Sequence, residues 1–145
     1  TLLTAARAER CLTSGLAELH ASLDGATPAT YEFIRVGAKF DRVLANLRGL
    51  LDLRRRHANS RLRVRMVVVA MRANLYEFPA LVRLASEIGL ESIFVQQLCH
   101  DFGEEGLPPR YRPMRSFVEE QTLLHEDRER VERLFEESRE LAVRL

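Results

Sequence analysis

Neither of the two cysteines, Cys11 and Cys99, belongs to a Cys-x-x-Cys pair, and they lie far apart in the chain. That spacing excludes a disulfide scaffold and points to a reducing, cytoplasmic compartment. No apolar run approaches the roughly eighteen residues that a membrane-spanning helix needs, and no signal peptide opens the chain. Lysine is nearly absent: Lys39 stands alone, and arginine carries the rest of the positive charge. The formal net charge is only +1, so no excess of either sign draws the chain to nucleic acid or to a membrane surface. An initiator Met is lacking and helix character begins at Thr4, so the chain is expected to be a piece of something longer.

What is present reads as a globular domain. With 145 residues, 46% hydrophobic and 30% charged, the chain can bury a core as one domain over residues 1–145. Residues 4–14 read as a helix with Thr4 as N-cap and Gly15 as terminator, and Cys11 within it as a core or half-buried residue. Leu16, Leu19 and Leu23 then mark a short buried strand. After a helix over 28–35, Phe40, Val43, Leu44, Leu47, Leu50 and Leu51 recur at three and four residues, an apolar stripe that needs a sheet to pack on. The Arg54, Arg55 and Arg56 cluster closes that helix, where cations suit its dipole. Residues 61–71 form the central strand: arginines alternate with apolar residues, and then Val67, Val68 and Val69 run continuously.

A helix over 75–88 follows, with Pro79 in its first turn, and then a third strand over 93–98. The helix-stop, Gly, Leu, strand-start pattern at 14–19 recurs at 88–93, so the unit is a repeated βα. Residues 100–115, with Gly103, Gly106, Pro108, Pro109 and Pro113, read as a long loop. A final helix beginning at about Ser116 or Leu124 runs to Leu145 and turns Leu134, Phe135, Leu141 and Val143 inward. Strands separated by such helices imply an α/β fold with three parallel strands and flanking helices, with ligands at the strands' carboxyl ends. Three tips then converge: Ser22 with Asp24, Arg72 with Asn74, and Gln97 with Leu98 through Asp101.

The stretch His20-Ala21-Ser22-Leu23-Asp24-Gly25-Ala26-Thr27-Pro28-Ala29-Thr30-Tyr31-Glu32-Phe33-Ile34-Arg35 is the most informative. An apolar run stops at a small polar cluster, Asp24-Gly25 turns the chain, and Thr27-Pro28 starts a helix. On the residues alone, Ser22 reads equally well as a turn-stabilising residue, and Asp24 reads as a turn former. An arginine at position 35 can pair with a ligand carboxylate in bidentate fashion while Ser22 donates a hydrogen bond.

The pattern Ser-Leu-Asp-Gly-Ala-Thr-Pro-x-Thr-Tyr-x-x-Ile-Arg resembles the fourth strand and following helix of radical S-adenosylmethionine enzymes, especially the SPASM group with auxiliary iron–sulfur clusters. The resemblance runs from Thr1 to about Asp101. It implies a partial, TIM-like (β/α) barrel comprising strands four to six, the C-terminal portion of the barrel core. It also implies cofactor contacts from Ser22 and Arg35 at the methionine end, from Asn74 at the close of the fifth strand, and from Leu98 on the adenine. The family's Cys-x3-Cys-x2-Cys triad is absent, so the 4Fe-4S cluster is expected on earlier strands of the parent protein, and neither cluster nor S-adenosylmethionine should bind tightly to this chain alone.

By the same resemblance the parent is an oxidoreductase that cleaves S-adenosylmethionine reductively to a radical and acts on a peptide or small-molecule substrate. The isolated chain would be inactive, supplying one wall of the pocket. Its partner would be the missing N-terminal half of the barrel or a second copy of the chain as a homodimer. The alternative is a non-enzymatic α/β interaction module that assembles through open sheet edges. His20, His57, His100 and His125 have no metal-ligand spacing, and Cys99-His100 cannot supply a full ligand set. No catalytic residue and no metal ligand is assigned.

Overall fold

The computed structural model describes residues 3–57, 60–98 and 108–145. In order, the elements are α1 (Ala5–Thr13), β1 (Glu18–Ser22), α2 (Pro28–Ile34), α3 (Phe40–Arg56), β2 (Arg63–Ala70), α4 (Phe78–Ile88), β3 (Ser92–Gln97), α5 (Arg112–Gln121) and α6 (Arg128–Arg144). Short 3-10 turns at Leu75–Glu77, Pro109–Tyr111 and Leu123–His125 lead into or join the helices.

Local chemistry sets most of these boundaries. The Thr4 hydroxyl accepts from the Arg7 amide at 3.4 Å and starts α1. Thr27 does the same for α2 through the Thr30 amide at 3.3 Å, with Pro28 in the first turn. Gly15 and Gly89 take φ of +77° and +81°, a left-handed conformation that ends a helix without steric cost to glycine. At the second, the Leu90 amide returns to the Ala85 carbonyl at 2.9 Å. Both occurrences of the repeated pattern thus carry a left-handed glycine at the helix end.

The sheet has the order β1-β2-β3, and both pairings are parallel, with Ser22 opposite Val67 and Ala70 opposite Gln97. The chain is therefore α/β, with three parallel strands and flanking helices. Side chains alternate between the two faces. Val64, Met66, Val68 and Ala70 lie in the core with the six buried stripe residues of α3 and with Phe78, Leu81 and Ala85 of α4. Val67 is buried but stands outside that core, and its neighbours of the same parity are Arg65, Ser22 and Phe94. The helical core thus covers one face of the sheet, whereas the other bears charged, polar and half-exposed side chains. α6 packs on α4, where Phe135 meets Phe78 edge-on at 4.8 Å.

Four sequence expectations change. Val143, expected inward with Leu141, is 84% exposed on the last turn of α6. Leu16 lies outside β1 and is 40% exposed, because the strand begins at Glu18. Within the expected loop over 100–115, residues 100–107 lie outside the described residues, whereas 109–115 are helical. Pro109 and Pro113 are not breakers there: each sits in the first turn of its helix, where the missing N–H has no intrahelical partner to lose. The single final helix is two. Thr122 is extended and caps the following turn through the Leu124 amide, and Asp127 caps α6 through the Arg130 amide at 3.0 Å.

Candidate functional site

The carboxyl ends of β1 and β2 are joined by side chains that prolong the sheet beyond its backbone ladder. The Leu23 amide still donates to the Val67 carbonyl at 3.0 Å. One residue later the chain turns away, and the Asp24 carboxylate takes over as acceptor for the Val69 amide at 2.7 Å. Its other oxygen accepts from Arg35 Nε. Asp24 is fully buried, whereas the Arg35 side chain is 39% exposed.

Asn74 occupies the next layer. Its amide nitrogen donates to the carbonyls of Asp24 and Val69, each at 2.8 Å, and its oxygen accepts from the Met71 amide at 2.9 Å. The side chain is completely buried and committed to backbone on both strand ends. Glu77 secures the outer part of the turn by accepting from the Ala26 amide at 2.7 Å and from the Thr27 and Thr30 hydroxyls at 2.9 and 2.6 Å. Gly25 fits because nothing larger does: a Cβ there would lie 2.5 Å from the Tyr31 backbone nitrogen. Burial pushes the Tyr31 phenol above its usual value, with the Arg35 charge opposing the rise. Among the described residues no buried side-chain nitrogen or oxygen lacks a hydrogen-bond partner.

The residues expected at this rim are therefore placed differently from one another. Ser22 is exposed on the open face at the last position of β1. Arg35 closes α2 and is held by Asp24. Asn74 acts on the backbone and has no face toward solvent. Leu98 is half-buried just after β3. Arg72 turns to α5 and the segment after it: its amide donates to the Gln121 carbonyl at 2.9 Å and its guanidinium pairs with Glu126 at 2.5 Å. Cys99, His100 and Asp101 lie outside the described residues.

Asp24 is more than a turn former, and no motif in the sequence marks Glu77. Apart from Arg35, 11 residues beyond Asp24, their partners are 45 to 51 residues away, so no local spacing signals them.

A second polar group lies on the open face. Glu18 pairs with His20 at 2.6 Å and with Arg63 and Arg65 at 3.2 and 3.3 Å. The bond to His20, followed by the Arg65 and Arg63 charges, holds its carboxyl below the usual range. His57 pairs with Glu9 at 2.9 Å, and no described group of three or more His, Cys, Asp or Glu side chains could hold a metal ion. At the end of α3, Arg54 binds the Leu62 carbonyl at 3.1 Å and Glu91 at 2.6 Å, while Arg55 and Arg56 bind Asp52. No described helix is long and apolar enough to cross a membrane. No family model matches the sequence, and no curated protein matches it.

Proposed function

We propose that the chain forms one wall of the cofactor pocket in a partial (β/α) barrel of the radical S-adenosylmethionine type. In this reading Ser22 and Arg35 hold the carboxylate at the methionine end of the cofactor, and Leu98 offers an apolar surface to the adenine. The observation that carries the reading is the Asp24–Arg35 pair. A buried carboxylate fixes the guanidinium through Nε at the strand tips while 39% of the side chain stays exposed. A bidentate acceptor such as a carboxylate suits that arrangement. Asn74 contributes by positioning Asp24, since its amide binds the Asp24 carbonyl. Helices on one face and an open opposite face are what a barrel segment requires, because the open face becomes the barrel interior.

The described side chains fit the amino-acid end of the cofactor but not the iron–sulfur cluster, for which they offer no ligand set. S-adenosylmethionine would supply the radical chemistry on a peptide or small substrate. This chain's residues bind and orient it. Binding to the chain alone is expected to be weak, so the test is an amide NMR titration at millimolar ligand. S-adenosylmethionine and methionine should shift the signals of Ser22 and Arg35, and methioninol, which lacks the carboxylate, should not. Equal shifts with methioninol, or no shifts near the β1 tip, would sink the reading.

A second reading has its own support. Among the described residues β1 and β3 each pair on one side only, and Phe94 and Val95 of β3 are 46% and 40% exposed. Unpaired edges next to exposed apolar side chains favour an α/β module that assembles through its sheet edges. Light scattering over a concentration series tests it: a strictly monomeric chain at every concentration would exclude self-assembly.

A further inference from the structure

Of the two outer strands, β3 is the barer. Val95 shares the helix-facing side of the sheet with Val68, its partner in register, yet Val68 is fully buried and Val95 is 40% exposed. Parallel strands are ordinarily covered on both faces, so the difference marks a missing lateral neighbour. Two grooves, of about 710 and 490 Å³, run end to end along that edge and share Val95 and Phe135. Their outer wall is α6: Val131 lines one groove with Gln97, and Ser138 and Ala142 line the other with Ile93. The helix therefore runs antiparallel to β3 and along its whole length.

The rungs of the sheet leave the same edge open. The Arg63 amide donates to the Ala17 carbonyl and the Val67 carbonyl accepts from the Leu23 amide, so β2 serves β1 through odd-numbered residues and β3 through even-numbered ones. In the parallel register of β2 with β3, those rungs go to Ser92, Phe94 and Gln96. The N–H and C=O groups of Ile93, Val95 and Gln97 therefore point outward along the grooves, and no described group answers them. A compact apolar ligand would cover the side chains and leave that row unsatisfied, whereas an extended peptide answers both. A second copy pairing its own β3 there would bring its α6 to the same side of the edge, where this α6 already stands. Each charged residue lining the grooves has an ion-pair partner: Glu91 with Arg54, Arg139 with Glu136, Arg128 with Glu132 and Glu126 with Arg72. A charged side chain entering them would lose water without gaining an unengaged partner.

We infer that the outer edge of β3 receives an extended peptide strand of about five residues from another molecule, with uncharged, apolar side chains at the alternate positions that face α6. The inference rests on the edge-assembly reading and deepens it by naming the edge and the chemistry of the partner, and it does not depend on the cofactor reading. Residues facing the open side of the sheet are free to be polar.

Fluorescence anisotropy with labelled Thr-Val-Thr-Val-Thr-Gly-Lys-Lys, whose lysines lie beyond the strand and keep it soluble, is the test. Replacing a valine of the peptide by Asp or by Lys should weaken binding about tenfold. Val95→Lys puts a charge on an edge position that is already half-exposed, and should do the same with the circular dichroism unchanged. Two N-methylated peptides probe the rungs, one methylated at both valines and the other at the second and third threonines. Only alternate N–H groups of an added strand face its neighbour, so one of the two should bind about tenfold more weakly and the other as the parent does. Equal binding by the two would overturn the strand model, as would charged peptides that bind like the parent. Concentration-dependent dimerisation without peptide binding would defeat the inference while leaving edge assembly standing. Peptide binding by a strictly monomeric chain would support the inference and defeat self-assembly.

Discussion

Two carboxylates of one short segment each bind arginine, and they differ in almost everything else. Asp24, just past the end of β1, is fully buried and also serves the Val69 amide, whereas Glu18, at the start of β1, is 23% exposed on the open face among His20, Arg63 and Arg65. The chemistry of the pair is the same; the dielectric around it is not. A buried pair is costly to break because the remaining charge cannot be rehydrated, whereas an exposed one exchanges its partner for water. The strand tips are therefore a fixed element and the open face an adaptable one.

The strongest way to sharpen that contrast is to remove Arg35. Arg35→Met leaves the Asp24 carboxylate buried with the Val69 amide as its donor, and should cost about 3–5 kcal/mol in urea unfolding. Asp24→Ala should cost less, about 1–3 kcal/mol, because the half-exposed arginine can turn to water and the main loss is the stranded Val69 amide. The double variant should be more stable than Arg35→Met alone. If Asp24→Ala proved the more damaging single change, the buried charge would not be the controlling feature.

Gly25→Ala tests how rigid the tip is. Its Cβ would meet the Tyr31 backbone, which cannot swing aside as a side chain would. A loss of about 1–3 kcal/mol is expected, as for overpacking elsewhere. An unchanged midpoint would show that the start of α2 shifts readily.

The smallest effect belongs to Glu18. Because its folded-state carboxyl is held low, its contribution is present above the unfolded-chain value and is lost as pH falls through the lower folded value. The slight stability gap between the wild type and Glu18→Gln should therefore close on acidification. A gap that widened instead would mean that the open face is less solvated than its exposure indicates.

These differences also mark what could be read in the residues. The stripe from Phe40 to Leu51 and the alternation along β2 were legible because helix and strand periods are local properties of the chain. The glycines at 15 and 89 were legible for the same reason. Pro109 and Pro113 misled because a proline that breaks a helix and one that begins it look alike without their neighbours. At the candidate site, Ser22 and Arg35 drew attention through a contiguous pattern. The commitment of Asn74 to backbone, and the clamp formed by Glu77, had no such signal.

The sequence by itself determined the succession of helices and strands from α1 to β3 and the apolar faces of α3 and β2, because each follows from side-chain order within a few residues. Tertiary structure alone decided that Asp24 replaces a backbone carbonyl, that Glu77 holds the turn, and that one sheet face stays open. Those outcomes require atoms some fifty residues apart to come within hydrogen-bond distance, or a sheet face to find no described helix packed on it. Both depend on how the elements pack, and packing is not written in any single stretch of the chain.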